Sequence, residues 1–155
     1  MADSKPAAYG VPAAQALPSP IADRVRPNAK LIALLSLGHF VVDLNQGSLP
    51  AYLPVLKTAH HLSYASAATI VLAANVASSL VQPLFGYFAD QTARRWMLPA
   101  SVLLTGAGFA LMGLAPDYTA LLALVVAMGL GVAAYHPEAY KAATSVAGER
   151  KATAL

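Results

Sequence analysis

The chain has 155 residues, 57% of them hydrophobic and only 11% charged, with a formal net charge of +3, whereas soluble domains carry about 25% charged residues. So few charges cannot cover a water-facing surface on a body of this size, and the 11 prolines and 10 glycines exclude one uninterrupted coiled coil. The absence of cysteine excludes disulfide and thiol chemistry, and the class that remains is an all-α polytopic membrane protein.

Residues 1–30 carry Pro6, Pro12, Pro18, Pro20 and Pro27 among alanines, with no apolar run that could form a signal-peptide core. They predict a disordered cytoplasmic tail. Four apolar stretches follow, at about 31–56, 65–88, 97–115 and 118–136, each close to or above the ~20 residues that span a hydrocarbon core. The first contains Asp43, Pro50 and Pro54, which predict a tilted or bent helix. In the second, Pro83 predicts a bend beside Gln82. The third and fourth hold no charged residue, and Pro116-Asp117 supplies the tight turn between them. Pro137 predicts that the fourth helix breaks at His136, leaving residues 138–151 as a cytoplasmic segment.

Lys and Arg distribute unevenly between the two sides of such a membrane protein. Lys5, Arg24, Arg26, Lys30, Arg94, Arg95, Lys141, Arg150 and Lys151 fall on one side and Lys57 alone on the other. The excess of basic residues predicts that side to be cytoplasmic, with both termini inside. The net charge is then topological, and no nucleic-acid partner is expected.

Polar residues within the apolar runs are the candidate functional groups. Ser36, His39, Asp43 and Gln46 fall along one face of the first helix, and an ionisable side chain there is costly unless it faces a bundle interior or a wet cavity. That face is either a proton or substrate site centred on Asp43 and His39 or a set of interhelical hydrogen bonds. Asn75, Ser78, Ser79, Gln82 and Gly86 form a neutral stripe on the second helix, again either a substrate path or interhelical contacts. Gly106, Ala110 and Gly113 on the third helix, and Ala123, Ala127 and Gly131 on the fourth, read as small-residue stripes for close helix packing. Asp90 sits at a helix C-terminus, where the macrodipole disfavours an anion. It suits a charge latch with Arg94, or else a solvated loop acid. Tyr135-His136-Pro137-Glu138 lies at the expected cytoplasmic rim, as a gate or proton relay or as an ordinary helix end.

The run Gly86-Tyr-Phe-Ala-Asp90-Gln-Thr-Ala-Arg94-Arg95 resembles the cytoplasmic loop signature of the major facilitator superfamily, matching at Gly86, Asp90, Arg94 and Arg95 and departing at Gln91 and Ala93. Leu37-Gly38-His39-Phe40-Val41-Val42-Asp43, then Leu49-Pro50-Ala51-Tyr52-Leu53-Pro54, then His136-Pro137-Glu138 resemble the fosmidomycin resistance branch of that superfamily. The resemblance implies a multi-pass inner-membrane transporter rather than an enzyme, needing no cofactor and exporting a small drug in exchange for protons. The arginine often found in helix 4 of proton-linked members would fall near Val125, where this chain has none. His39, Asp43, His136 and Glu138 are then the proton candidates, with Gln46, Asn75 and Gln82 beside them.

The resemblance also implies a twelve-helix fold of two bundles, with substrate held between them. The chain is expected to supply its first four helices, to lead into a missing fifth, and to be inactive without the remaining helices. A self-contained four-helix drug exporter acting as a dimer is the alternative. A zinc site using His39, Asp43, His136 and Glu138 has suitable ligand types, but with His136 at the rim and His39 halfway along its helix the groups are not expected to meet. No metal is therefore expected.

Overall fold

The structure is a computed structural model that describes residues 27–91 and 96–147. Helix α1 covers Ala29–Ala59. Asn28 starts it, its side-chain oxygen accepting from the Leu31 N–H at 3.2 Å. Pro50 and Pro54 are accommodated within one continuous helix. A turn at His61, in the left-handed region with φ 49°, reverses the chain.

Helix α2, Tyr64–Asn75, is capped by the Ser63 hydroxyl, which accepts from Ser66 N–H at 3.0 Å. A π-helical turn at Val76–Leu80 follows, then α3 at Gln82–Gln91. The three form one rod, Tyr64–Gln91. Pro83 has no N–H for the carbonyl of Ser79 and its ring crowds that turn. The wider π turn absorbs the misfit just before the proline, so the predicted bend is spread over the preceding residues.

Helix α4 is Met97–Leu111, closed by a 3-10 turn at Met112–Leu114. The tight turn at Pro116-Asp117 leads into α5, Tyr118–Val146, with Asp117 accepting from Ala120 N–H at 2.8 Å. Among the described residues, Tyr64–Gln91, Met97–Leu114 and Tyr118–Val146 are long and apolar enough to cross a membrane. α1 has 31 residues and so is long enough, but His39, Asp43, Asn45 and Gln46 lower its mean hydropathy.

The expected break at His136 does not occur: α5 continues through Pro137 to Val146. Proline removes one helical hydrogen bond, that to the Ala133 carbonyl, and packing outweighs the loss. Ala139 and Ala143 are buried in a cluster with Leu35, Val42, Val132 and Tyr135, and Asn28 N–H donates to the Val146 carbonyl at 3.0 Å. This last bond sets the register of two antiparallel helices. His39 lies eleven positions beyond Asn28 and His136 ten before Val146, so both stand at the same level, about 15 Å from that end of the bundle.

α5 is the central helix. Leu121, Val125 and Met128 join Leu49, Leu56, Ile70, Ala74 and Met112 in the second buried cluster. α1 meets it through Leu35, Val42, Leu49 and Leu56, a seam with a strict seven-residue repeat. The small-residue contacts match expectation at Gly131 and differ at Gly106 and Ala123. A Cβ on Gly106 would meet nothing within 4 Å, and Ala123 is exposed. The buried face of α4 is instead Met97, Ser101, Thr105 and Gly108. Gly108 packs on the backbone of Leu124 and Met128, while Gly131 packs on the backbone of Ser101 and Thr105. Residue size alone marked both faces of α4 equally. The hydroxyls of Ser101 and Thr105 fold back onto the carbonyls of Leu98 and Ser101 at 2.8 and 2.9 Å, so they present only a small surface to α5.

Candidate functional site

The polar face of α1 stands beside its buried seam, and at the level of Val42 it meets α5. His39 Nε2 lies 3.1 Å from Asp43 Oδ2, one helical turn away. On the other side of the same carboxylate, His136 Nε2 lies 3.5 Å from Asp43 Oδ1. The two imidazoles meet edge to face, with centroids 5.0 Å apart. Asp43 thus bridges two histidines on two helices. The side chains of His39, Asp43 and His136 are 51%, 54% and 28% exposed, so the cluster is open.

His136 is held in one orientation. Its Nδ1 lies 2.9 Å from the Val132 carbonyl, which can only accept, so Nδ1 carries a proton. In the neutral ring Nε2 then turns a lone pair toward Asp43 Oδ1. A proton held by either partner, or a bound cation, bridges two such electron-rich atoms. Beneath the cluster the Tyr135 hydroxyl donates to the Leu35 carbonyl at 2.6 Å, with the tyrosine 2% exposed. That bond ties the α1 turn preceding His39 to the α5 turn carrying His136.

A cavity of about 750 Å3 opens beside the cluster between α1, α3 and α5, with Ser36, His39, Gln82, Asp90, His136 and Lys141 among its walls. Gly86 also lines it, and a Cβ there would make ordinary contact with Pro137 at 3.8 Å. Lys141 donates to the Ala89 carbonyl in the last turn of α3. Free carbonyls collect at such a terminus, and a cation there offsets the dipole that disfavours Asp90.

The remaining candidates are placed differently. Gln46 donates from Nε2 to the Ser78 hydroxyl at 3.1 Å, joining α1 to the π-helical turn. Asn75 is exposed, and its carbonyl accepts from the Ser78 hydroxyl at 3.3 Å. Glu138 is 6% exposed and lies outside the His39, Asp43 and His136 group. Two residues after His136 on a helix, it points to nearly the opposite face. Arg94 and Arg95 lie outside the described residues.

The expectation that His136 would stay away from His39 and Asp43 is corrected by the continuity of α5. Sequence reasoning named Tyr135 and Ser78 only as members of their clusters, without their partners Leu35 and Gln46, and passed over Lys141 as a site residue. Tyr135 had a usable signal in its position next to His136, since a buried tyrosine hydroxyl needs a partner. Lys141 looked topological because the helix was thought to end before it.

The family model that matches this chain is the Major Facilitator Superfamily, over residues 35–155. Among curated proteins, the Fosmidomycin resistance protein of Escherichia coli (strain K12) is 31% identical over 127 residues, covering 82% of this chain and 31% of that protein. An uncharacterized MFS-type transporter, YfnC, of Bacillus subtilis (strain 168) is 28% identical over 124 residues, covering 80% of this chain and 30% of its own length. The chain therefore spans less than a third of the length of these curated relatives. No solved structure matches it. With helical architecture throughout the described residues and a family match over most of its length, the chain belongs to the Major Facilitator Superfamily.

Proposed function

We propose that the chain forms the first four membrane helices of a proton-coupled exporter of a small drug such as fosmidomycin, with α1 as the first span. One observation carries the mechanism: Asp43 stands between two imidazoles at 3.1 and 3.5 Å, beside an open cavity. A proton taken up there neutralises the carboxylate or charges His136. Its release restores a site that attracts the next cation. Exposure of such a site to alternate sides of the membrane couples proton entry to drug exit. The similarity to a protein named for fosmidomycin resistance supports the drug class.

In this reading α1 begins on the cytoplasmic side of the plasma membrane, on the strength of the basic residues at that end. Gly86, Asp90, Arg94 and Arg95 form the cytoplasmic latch that their signature implies. Gln82 lines the drug path with the cavity, and Gln46 fixes α1 to the second helix. Asn75 and Glu138 serve as supporting polar groups.

The test joins this chain to the remaining length of the E. coli relative and assays inverted membrane vesicles from a drug-sensitive strain. Addition of fosmidomycin should release protons from acidified vesicles, and Asp43→Asn should abolish that release while the protein still reaches the membrane. Drug-driven proton release that is unchanged in Asp43→Asn would refute the assignment.

A further inference from the structure

We propose that His39, Asp43 and His136 form a site for a divalent first-row metal ion of the zinc class, bound between α1 and α5. It builds on the reading of this cluster as a cation site and adds an ion that competes with the proton there. The donor set is two imidazole nitrogens and one carboxylate oxygen, which suits zinc with a fourth position left to water or a small anion.

Spacing favours the ion as much as ligand type does. With bonds of about 2.0 to 2.1 Å, neighbouring donors of a tetrahedral zinc stand roughly 3.3 Å apart. The observed separations are 3.1 Å from His39 Nε2 to Asp43 Oδ2 and 3.5 Å from His136 Nε2 to Asp43 Oδ1, so each imidazole stands near that spacing from the carboxylate oxygen it faces. The three donor atoms all lie within 4.8 Å of one another, so a small rotation of the exposed His39 ring brings them around one ion.

The surroundings hold these donors in a ligating orientation. Nδ1 of His136 is committed to the Val132 carbonyl at 2.9 Å, the backing that metal-bound histidines ordinarily have, and it leaves the Nε2 lone pair aimed at the site. An ion there removes the repulsion between that lone pair and Asp43 Oδ1. The two helices are pinned at this level by the Tyr135 to Leu35 bond of 2.6 Å, so the ion enters a preformed cleft. The adjoining cavity gives it a route and room for a water.

Cobalt(II) is the probe, because tetrahedral coordination by nitrogen and oxygen gives intense visible d–d bands. The 155-residue chain, purified in detergent without a polyhistidine tag, should bind one Co2+ with tetrahedral bands that Zn2+ bleaches. His39→Ala and His136→Gln should each weaken binding by at least about tenfold, and the double variant should show no saturable binding. Replacing both loop histidines, His60→Ala with His61→Ala, should change nothing, and circular dichroism should show unchanged helix content in every variant. Absence of the bands in the unmodified chain, or their survival in the double variant, overturns the proposal. Loss of binding on replacing His60 and His61 overturns it equally. None of these results bears on drug-driven proton release, which Asp43→Asn tests separately.

Discussion

Asp43 Oδ1 on α1 and His136 Nε2 on α5 are 3.5 Å apart, although the sequence places one in the middle of an apolar run and the other beside a proline that should end its helix. The contact exists because two antiparallel helices share a register fixed at their ends, where Asn28 N–H meets the Val146 carbonyl. A site of this kind depends on helix continuity as much as on the identity of its side chains.

That continuity is directly testable. The chain has no cysteine, so Asn28→Cys with Val146→Cys introduces the sole thiol pair. Backbone atoms of these residues approach to 3.0 Å, which places the side chains within reach of a short bifunctional thiol reagent. Efficient intramolecular crosslinking in membranes is the expected result. A helix broken at His136 would carry Val146 away from α1 and give none.

The carboxylate and its two histidines should not be equivalent. Asp43→Asn keeps the shape but leaves one acceptor oxygen for two imidazoles, and drug-driven proton release should fall to background in the chimeric transporter. His39→Gln should reduce it only partly, because His39 is 51% exposed and contacts one oxygen of a carboxylate on its own helix. His136→Gln should be the more damaging histidine change, since His136 carries a contact from α5 to the carboxylate. Initial rates of release in the three variants give the order.

Much of this was legible in the sequence, and what was not has physical causes. Helix starts at Asn28, Ser63 and Asp117 are capped by side chains whose chemistry is local, and the His39–Asp43 pairing follows from four-residue spacing. Pro137 misled because its cost is local, whereas its compensation comes from α1 through Leu35 and Asn28. The packing face of α4 was misassigned for a similar reason. Glycine and alanine occur on both sides of that helix, and the choice between them lies in α5, where Gly131 meets Thr105.

Two glycine substitutions should separate the two faces of the bundle. A Cβ at Gly131 would fall 2.7 Å from the Thr105 nitrogen and 2.8 Å from the Ser101 carbonyl oxygen, and backbone cannot give way as a flexible side chain can. Gly131→Ala should therefore destabilise the protein by about 1 to 3 kcal/mol. Gly106→Ala meets open space and should leave stability unchanged or raise it by up to about 1 kcal/mol. Unfolding of detergent-solubilised protein with increasing dodecyl sulfate, followed by circular dichroism, measures both.

Tyr135→Phe isolates the pin beneath the cluster. Phenylalanine fills the same space against Leu35 and Val132, so packing is retained and only the hydroxyl donated to the Leu35 carbonyl is lost. That carbonyl also lies within a helix, so it keeps an N–H partner and the loss is modest, about 0.6 kcal/mol for an average interhelical bond in a membrane protein and up to about 1.7. Its effect on the site should exceed its effect on stability. Tyr135 is the direct neighbour of His136, and the bond fixes α1 and α5 at the level where Asp43 must span two imidazoles at 3.1 and 3.5 Å. Slack of even a few tenths of an ångström there favours one histidine contact over the other. Drug-driven proton release in Tyr135→Phe should fall several-fold while the unfolding midpoint shifts only slightly. Equal loss of both would mean that the tyrosine only stabilises the bundle, and no loss of either would mean that the helices hold their register without it.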